Sequence, residues 1–497
     1  MSSNPFHTVS GADRLRNPFS LGIILIGTVV LGYTLAFGGF IAAGIIIAVP
    51  ILFFAFYVLV KNPETGFTFA LVLNFVIMGL TRYIPIKLGY IMDITLISIY
   101  IALFFHYFNK KLNLQPVKND LTYLALVWFI YILLELFNPE AISTTAWFAS
   151  MRGIGLYMIL TIPLVQLIYN EPRHLDKFLK IWGIFSILAA LKAWIQLNIG
   201  LDPWEQKWLD ETGAVTHLLW GNLRAFSFYT DAGQFGAAQA QIGIAAMIMF
   251  FSEKKLKQKL FWLACLIAGL YGMSSSGTRG AIFVPFAGGA LYLIIRKDLR
   301  LIIAGIIVLV MVYSFFRYTT IGNSSYQIFR MRSAFTPEDD ASFQVRLKNQ
   351  ALFDSYLKTR PFGGGIGHAG GRAIPYTGNT FLSSIATDSW FVMIWAECGI
   401  VGLYLHLFVL GWFVGKGMYI TMYQVKNKEL QMKTAALLCS VFGILVASYG
   451  NAVLGQFPTG LLIYTSMAYV FMAPELDKKL NSMNVTVITG NTNRENP

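Results

Sequence analysis

Hydrophobic residues run along most of this chain in stretches long enough to cross a lipid bilayer. Apolar runs of about 18 to 20 residues recur, and each can span a hydrocarbon core of roughly 30 Å as a helix. The pattern predicts an all-α polytopic membrane protein with about fourteen transmembrane helices, expected at 19–36, 39–60, 66–80, 91–108, 121–137, 154–169, 181–199, 234–251, 260–273, 281–295, 301–316, 388–414, 434–449 and 452–472.

Lysine and arginine clusters between these runs predict the orientation in the membrane. The clusters fall in alternate connections, as the positive-inside rule requires of cytoplasmic loops, which puts both termini in the cytoplasm. The resulting organisation is a cytoplasmic N-terminal segment (1–18), helices 1–11 (19–316) with an outer loop at 200–233, a large periplasmic loop (317–387), helices 12–14 (388–473), and a disordered cytoplasmic tail (474–497).

Composition agrees with this class and excludes others. The 497 residues are 56% hydrophobic and 13% charged, whereas a soluble domain carries roughly 25% charged residues. The net charge of +13 fits basic loops facing membrane lipids, and no soluble basic domain exists to bind nucleic acid. Three cysteines inside apolar runs, Cys265, Cys398 and Cys439, indicate small core residues and neither a disulfide framework nor a metal site.

The segment SSSGTRGAI, Ser274 to Ile282, is a polar interruption between two apolar runs. Counting the predicted helices places it on the outer face. Gly277 and Gly280 flank Arg279 and allow the backbone to approach a neighbour closely, and the small residues suggest room for a bulky anionic headgroup. A guanidinium suits bidentate contacts to phosphate oxygens, so we expect Arg279 to belong to a binding site.

The large loop is the longest connection in the chain, and its sequence indicates order. The stretch SFQVRLKNQALFDSYLKTRP predicts a helix with Val345, Leu352 and Tyr356 on one side and an Asp354–Lys358 ion pair. The helix is expected to end at Pro361, before the glycine cluster FGGGIGHAGG. The loop carries eight lysines and arginines against four acidic residues. These cations fit a site for phosphate groups, or they contact lipid phosphates and loop acids.

Four motifs follow one another between about Leu223 and Tyr404: NLRAFSFYTDAGQFGAAQA, SSSGTRGAI, the arginine-bearing helix with its PFGGGIG turn, and TDSWFVMIWAECGIVGLYL. Taken in this order, they resemble the O-antigen ligase and polymerase family. The resemblance implies a GT-C-like glycosyltransferase of the bacterial inner membrane. It implies a donor glycan on undecaprenyl diphosphate, an acceptor hydroxyl on a glycan, lipid or protein, a periplasmic active site, and no cofactor.

The resemblance also implies roles for individual residues. Arg224, Arg279 and Arg346 match arginine positions of the family and would bind the diphosphate, and we place Arg372 with them. Ligases of the family carry a histidine at the start of the helix after the large loop. This chain has Thr-Asp-Ser-Trp there, which is closer to polymerase-like members and makes Asp388 the first candidate for the catalytic base.

His368, in the glycine cluster, is the second candidate base, because histidine titrates near neutral pH; a structural role capping a turn is the alternative. Other ionisable residues are expected to have structural roles. Glu397, Glu135 and Lys192 should pair with opposite charges, and Asp231 should cap the following helix or line the site. The acidic cluster at Glu338–Asp340 predicts a solvated loop more than a metal site.

Several functions remain open from the sequence. A polymerase, a ligase to lipid A core and an O-oligosaccharyltransferase to protein share a donor site and differ in their acceptor. A lipid-glycan transporter or flippase is the alternative outside the enzymes. It is disfavoured because no internal repeat is found and the polar features gather on one face instead of near the midplane.

Overall fold

The computed structural model describes residues 53–84, 88–108, 112–336 and 341–492, with a few positions between residues 22 and 50. The predicted N-terminal segment 1–18, most of the first two predicted helices, the acidic cluster at Glu338–Asp340 and the last five residues of the tail lie outside the described residues. Within the described part the chain is almost entirely helical, which confirms the predicted fold class.

The helices are numbered here in chain order. In the first half they are α1 (Pro63–Leu80), α2 (Gly89–His106), α3 (Asp120–Leu134), α4 (Thr144–Met151), α5 (Tyr157–Ile168), α6 (Pro172–Asn198), α7 (Pro203–Trp208), α8 (Ala214–His217) and α9 (Ala232–Ser252). In the second half they are α10 (Leu256–Ser275), α11 (Phe283–Arg296), α12 (Leu299–Tyr318), α13 (Tyr326–Arg332), α14 (Ala341–Leu357), α15 (Ile374–Thr377), α16 (Phe381–Ser384), α17 (Trp390–Tyr419), α18 (Lys428–Ala447) and α19 (Thr459–Thr492). A short antiparallel hairpin pairs β1 (Leu218–Leu219) with β2 (Asn222–Leu223).

Each predicted span from 66–80 onward contains a helix, although the span 452–472 is helical only from Thr459. By length and composition, ten helical segments among the described residues are suited to crossing a membrane. The chain is therefore a multi-pass membrane protein. Side-chain caps fix several helix starts: Asn119 accepts from the Thr122 backbone N–H (3.2 Å) before α3, and Asn427 accepts from Leu430 (3.1 Å) before α18.

Contacts between connections separate the two ends of the helix bundle. At one end Lys433 Nζ lies 2.6 Å from Asp176 Oδ1, and Lys479 Nζ donates to the Asn170 carbonyl (2.9 Å). At the other end, called here the loop end, the segment 200–233 and the large loop come together. There Arg82, after α1, donates to the backbone carbonyls of Ser227 and Tyr229. Three basic segments, at 171–177, at 416–433 and around Lys479, thus share the end opposite the long loops.

The core lies around α9, α18 and the first part of α19, where most of the described side chains are buried. Glycines allow α9 and α10 to pack closely, because a Cβ at Gly269 would lie 2.8 Å from the Cα of Gly243. In contrast, α12 has no buried residue and lies at the edge of the bundle. Cys265, Cys398 and Cys439 are buried free thiols, which confirms their prediction as core residues.

The large loop is ordered over its described residues, and its main helix is α14. The Asp354–Lys358 ion pair forms at 3.6 Å, as predicted. The predicted apolar side is wrong in part, because Val345 and Leu352 are exposed while Tyr356 packs against the buried cluster. The buried stripe instead contains Phe353 and Leu357, which pack in one cluster whose other members are Ala369, Leu382, Ile385 and Ala396. This stripe is the side of α14 that covers α17, and the sequence of α14 alone does not reveal it.

The glycine cluster after α14 fits into a break in α17. Gly399, inside that helix, has φ of 66°, and the chain around Gly363 passes directly against it. The backbone N–H groups of Gly364 and Gly365 donate to the carbonyls of Ala396 and Glu397 at 2.9 and 3.0 Å. The loop therefore supplies hydrogen-bond partners for the broken turn of α17. Irregular backbone at membrane depth is tolerated only where protein or water satisfies its polar groups in this way.

Candidate functional site

A cavity of about 570 Å³ opens at the loop end and collects most of the predicted site residues. Four arginines line it, together with two aspartates: Arg224, Arg279, Arg330, Arg346, Asp231 and Asp388. The cavity thus brings together residues from four separate segments of the chain. They are three of the predicted diphosphate-binding arginines, Arg224, Arg279 and Arg346, and the first candidate base, Asp388. The excess of cations favours an anionic ligand, and we call this space the arginine cavity.

Arg224 is held rigidly at one side of the arginine cavity by backbone and hydroxyl acceptors. Its Nε donates to Ser276 O (2.9 Å), Nη1 to Thr216 O (2.7 Å) and Nη2 to Thr278 Oγ1 (2.9 Å). Burial, followed by the nearby Arg330 cation, lowers the pKa of the Arg224 guanidinium to about 10. At neutral pH the group stays protonated, and an anion in the cavity would offset the repulsion between these cations.

The turn SSSGTRGAI positions Arg279 through close packing of its small residues. Gly277 has φ of 57°, a conformation that glycine adopts without steric cost. A Cβ at Gly280 would collide with Asn451 Nδ2. Ser276 is fully buried, and its hydroxyl donates to Met273 O (2.8 Å). The small residues therefore bring neighbouring segments together, a different role from the room for a headgroup that the sequence suggested.

Arg279 and Arg330 meet at this turn from two directions. Arg279 Nη1 donates to Ser333 Oγ (3.3 Å), just after α13, and Arg330 Nε donates to the Gly277 carbonyl (2.8 Å). These contacts dock α13, the first helix of the large loop, onto the turn. The docking adds Arg330 to the cavity wall, and sequence reasoning gave that residue no role in the site.

Arg346 and Asp388 form an ion pair across the opening of the arginine cavity. Arg346 Nε, on α14, lies 3.5 Å from Asp388 Oδ2, and their side chains are 28% and 50% exposed. Asp388 directly precedes Ser389, whose hydroxyl accepts from the Val392 backbone N–H (3.4 Å) at the start of α17. The candidate base is thus fixed at a helix start, accessible to solvent, and oriented by a guanidinium.

His368 lies apart from the arginine cavity. Its side chain is buried, and Nε2 accepts from the backbone N–H groups of Ile142 and Ser143 at 3.1 and 3.2 Å. Its Nδ1 lies 3.0 Å from Ile366 O. Both ring nitrogens are therefore engaged with backbone, and the imidazole ties the glycine cluster to the segment before α4. This arrangement matches the structural alternative stated for His368.

Arg372 also lies apart from the other arginines. It lines a neighbouring cavity of about 330 Å³, which shares Asp388 and Gln456 with the arginine cavity. Its Nη2 donates to Glu397 Oε1 at 2.6 Å, and Glu397 is fully buried in α17. Among the described residues the second oxygen, Glu397 Oε2, has no hydrogen-bond partner. The prediction that Glu397 pairs with a cation is confirmed, and Arg372 is the partner.

The ion pair between Arg372 and Glu397 leads to a prediction that distinguishes a structural role of Arg372 from a role in donor binding. Arg372→Ala leaves the buried Glu397 carboxylate uncompensated, so we expect a loss of about 3 kcal/mol in unfolding free energy. The double variant Arg372→Ala/Glu397→Gln removes the buried charge and should recover most of it. Thermal unfolding in detergent measures both. Equal stability of the wild type and the Arg372→Ala variant would contradict this account, and normal glycan transfer by the double variant would exclude Arg372 from donor binding.

Of the other ionisable residues, Lys192 and Asp231 have the expected roles, while the predicted charged partner of Glu135 is wrong. Lys192 Nζ lies 3.1 Å from Glu205 Oε2 and 3.3 Å from Asp202 Oδ2. Glu135 is buried and accepts from Asn138 Nδ2 (2.7 Å), a neutral partner in place of the predicted charge. Asp231 accepts from the Gln234 backbone N–H (2.9 Å), and it also lines the arginine cavity. Both alternatives stated for Asp231 therefore hold.

The wall of the arginine cavity includes polar residues that the sequence analysis missed. Asn451 Nδ2 and Gln456 Oε1, between α18 and α19, are buried without a hydrogen-bond partner among the described residues. Buried polar atoms usually have partners, so these two are suited to a bound ligand. Their segment looked like the start of a transmembrane helix, and that apolar context concealed them.

His217 links the arginine cavity to the start of α9. It is buried, and its Nε2 accepts from the Ala232 backbone N–H (3.1 Å). Burial lowers the pKa of His217 to about 4. An unfolded histidine titrates near pH 6.5. The contribution of neutral His217 to stability is therefore complete above about pH 6.5 and is lost as the pH falls towards 4.

Acidification should loosen this segment. Between pH 7 and pH 5 we expect a local loss of about 2 kcal/mol, because His217 binds a proton in the opened segment, where its pKa is near 6.5, and stays neutral in the closed one, where its pKa is lowered to about 4. Amide hydrogen exchange of residues 214–234, corrected for its intrinsic pH dependence, measures the change. In a His217→Gln variant, which keeps an acceptor and does not titrate, the pH dependence should disappear. The same pH dependence in that variant would contradict the assignment.

Comparison with known proteins identifies the region that contributes four of the six arginines and aspartates of this site. Residues 263–407 match the family model described as O-antigen ligase. The matched segment contains Arg279, Arg330, Arg346 and Asp388, while Arg224 and Asn451 lie outside it. No curated protein gives a significant match to the chain. The family match confirms the resemblance predicted from the sequence: residues 263–407 of this multi-pass membrane protein are similar to the O-antigen ligase family, a similarity that indicates glycan transfer.

Proposed function

We propose that the protein transfers or polymerises glycan from an undecaprenyl diphosphate donor onto the hydroxyl of an acceptor sugar, on the periplasmic side of the bacterial inner membrane. The observation that carries the proposal is the convergence of Arg224, Arg279 and Arg330 beside Asp388 in one cavity. The family match supports the glycan-transfer part. The placement of the lysine-rich connections opposite the loop end supports a periplasmic site.

The arginine cavity suits the leaving group of this reaction. When the bond between the anomeric carbon and the phosphate oxygen breaks, its electron pair stays with the diphosphate, which gains negative charge. Cations fixed before the reaction stabilise that charge without reorganising. Arg224 has three backbone and hydroxyl acceptors holding it in place. Its guanidinium is therefore preorganised in the way that transition-state stabilisation requires.

The acceptor side of the reaction needs a base, and Asp388 fits this role. The acceptor oxygen attacks the anomeric carbon, and its proton passes to the Asp388 carboxylate. Arg346, 3.5 Å away, orients that carboxylate. Asp388 lines both the arginine cavity and the smaller cavity beside it. A donor in the first space and an acceptor entering from the second would therefore meet at this carboxylate.

The nature of the acceptor distinguishes two forms of the proposal. The Thr-Asp-Ser-Trp sequence at the start of α17 favours a polymerase, in which the acceptor is another lipid-linked glycan. The family description as O-antigen ligase favours transfer to lipid A core, or by the same chemistry to a protein hydroxyl. A lipid-glycan transporter would need no base at Asp388, so its variants there should transport normally.

Reconstitution with a lipid-linked oligosaccharide tests the proposal. Purified protein in liposomes is incubated with undecaprenyl-diphosphate-linked oligosaccharide, and products are separated by gel electrophoresis and mass spectrometry. A ladder of longer glycans without added acceptor supports the polymerase, and transfer only after lipid A core or an acceptor protein is added supports the ligase. Donor that stays intact under all three conditions would contradict the proposal.

A further inference from the structure

A second large cavity lies on the other side of the wall that holds Arg224 and Arg279. It encloses about 550 Å³, within the range of roughly 300–1,000 Å³ typical of ligand sites. None of its described lining residues is charged. The polar lining consists of amides and hydroxyls, with one aromatic ring, and includes Asn198, Asn222, Ser274, Ser325, Gln327 and Tyr271. We call this space the neutral cavity.

The neutral cavity and the arginine cavity share three segments of chain. In the hairpin, Leu223 lines the neutral cavity and Arg224 lines the arginine cavity. The end of α10 contributes Ser274 to the neutral cavity, and the turn that follows contributes Arg279 to the arginine cavity. In the same way, α13 contributes Gln327 to the first and Arg330 to the second. A ligand whose charged group occupies the arginine cavity would therefore have an uncharged polar space next to it.

The hairpin between the two cavities displays an indole ring in an unusual backbone conformation. Trp220 and Gly221 form its two-residue loop, with φ of 51° and 77°, as a type I′ turn requires. Asparagine is favoured at the first of these positions, and positive φ in a bulky residue is rare. Trp220 is nevertheless 73% exposed. A strained, exposed aromatic residue next to a polar cavity points to binding.

Neighbouring side chains hold the indole ring in place. Its centroid lies 6.2 Å from the ring of Tyr326 and 6.3 Å from that of Phe329, both edge-on, and the Arg330 guanidinium lies 5.8 Å from it. In the neutral cavity, Gln327 Oε1 accepts from Ser325 Oγ (2.9 Å), which leaves its amide hydrogens to donate. Asn222 uses one amide hydrogen on Trp220 O (3.2 Å), which leaves its carbonyl oxygen to accept.

From these features we infer that the hairpin and the neutral cavity form a saccharide-binding subsite for uncharged sugar residues of the glycan, separate from the groups that react. The apolar face of a sugar ring stacks on Trp220, and its hydroxyls bond with the amides of Asn222 and Gln327. The absence of charge among the described lining residues disfavours a second phosphate. The inference deepens the proposed function and rests on it for the identity of the ligand as glycan.

Binding of the free glycan tests this subsite without requiring transfer. The probe is the oligosaccharide released by mild acid from the lipid-linked glycan of the source cells, titrated into the protein in nanodiscs and followed by saturation-transfer NMR. The central variant is Trp220→Asn, which supplies the residue that the type I′ turn prefers and should therefore fold at least as well. It should weaken binding about tenfold, as expected for the loss of one stacking contact.

Two controls make the result specific. Trp220→Phe keeps a ring and should bind within about threefold of wild type, and Lys358→Ala, which removes an exposed cation of the large loop that lines neither cavity, should leave binding of the probe unchanged. Equal binding by the wild type and the Trp220→Asn variant, or no binding to the wild type, would overturn the inference. Probe binding through Trp220 with no glycan transfer in the reconstituted system would instead overturn the proposed function and leave the saccharide subsite standing.

Steady-state kinetics then distinguish the two sources of the sugar. In the Trp220→Asn variant, a raised KM for the lipid-linked donor at unchanged kcat assigns the subsite to the donor glycan. A raised KM for the acceptor assigns it to the growing or receiving chain. Unchanged KM for both, together with unchanged probe binding, would contradict the subsite.

Discussion

Replacing Arg279 by alanine should abolish glycan transfer while the protein remains folded. Arg279 lines the arginine cavity, and it contacts the large loop through Ser333 Oγ at 3.3 Å. Loss of one preorganised donor to a developing negative charge costs about 100-fold to 1,000-fold in kcat. Arg279→Lys keeps the charge and loses the planar fork, so it should retain a part of the activity. Turnover of the lipid-linked donor in liposomes measures both variants.

A matched control separates the position of Arg279 from the general loss of a cation. Lys358 lies in the large loop, is exposed, and pairs only weakly with Asp354 at 3.6 Å. Lys358→Ala should therefore transfer glycan at the rate of the wild type. Circular dichroism and size-exclusion chromatography report whether each variant is folded. A folded Arg279→Ala variant with activity within a few-fold of wild type would remove Arg279 from the site.

Asp388→Asn should lower kcat about 100-fold or more, with little change in the KM for the donor. The amide cannot take the acceptor proton, and positioned general bases contribute about 100-fold to 10,000-fold. The side chain is half exposed and similar in size to asparagine, so folding should be preserved. Asp354→Asn, an exposed carboxylate on α14, is the control and should have no effect.

The kinetic pattern distinguishes catalysis from positioning. If Asp388 acts only by holding Arg346, the Asp388→Asn variant should show weaker donor binding, seen as a raised KM at nearly normal kcat. The ion pair between the two side chains makes that outcome a real alternative. A normal rate at saturating donor would contradict the assignment of Asp388 as the base.

Much of the fold could be predicted from the sequence, because apolar runs of bilayer length leave few structures available. Each predicted span from 66–80 onward contains a helix. The alternation of basic connections predicted that the two long loops lie on the same side of the membrane, and in the structure both lie at the same end of the helix bundle. The motifs that contain Arg224, Arg279 and Arg346 were all predicted on that face, and the three side chains line one cavity. The sequence was sufficient for these features because the length of each apolar run and the order of the runs determine where helices form and on which side each loop lies.

The sequence could not predict which segments meet side by side at the loop end. Arg330 enters the cavity because α13 docks on the turn at Gly277, and nothing in its local sequence indicates this contact. His368 lies outside the arginine cavity because its ring bonds with backbone groups, among them the Ile142 N–H. Arg372 lies outside it because its guanidinium pairs with Glu397. The buried stripe of α14 combines Phe353 with Leu357, and its packing partners come from residues far along the chain.

The most direct test of the central claim is a cryo-EM map of the protein in nanodiscs with bound undecaprenyl diphosphate. The account predicts density for the two phosphates within hydrogen-bond distance of Arg224, Arg279 and Arg330, with the polyprenyl chain leaving towards the lipid. The map of an Arg279→Ala variant prepared in the same way should lack this density. Diphosphate bound elsewhere, with the arginine cavity occupied only by solvent, would contradict the account.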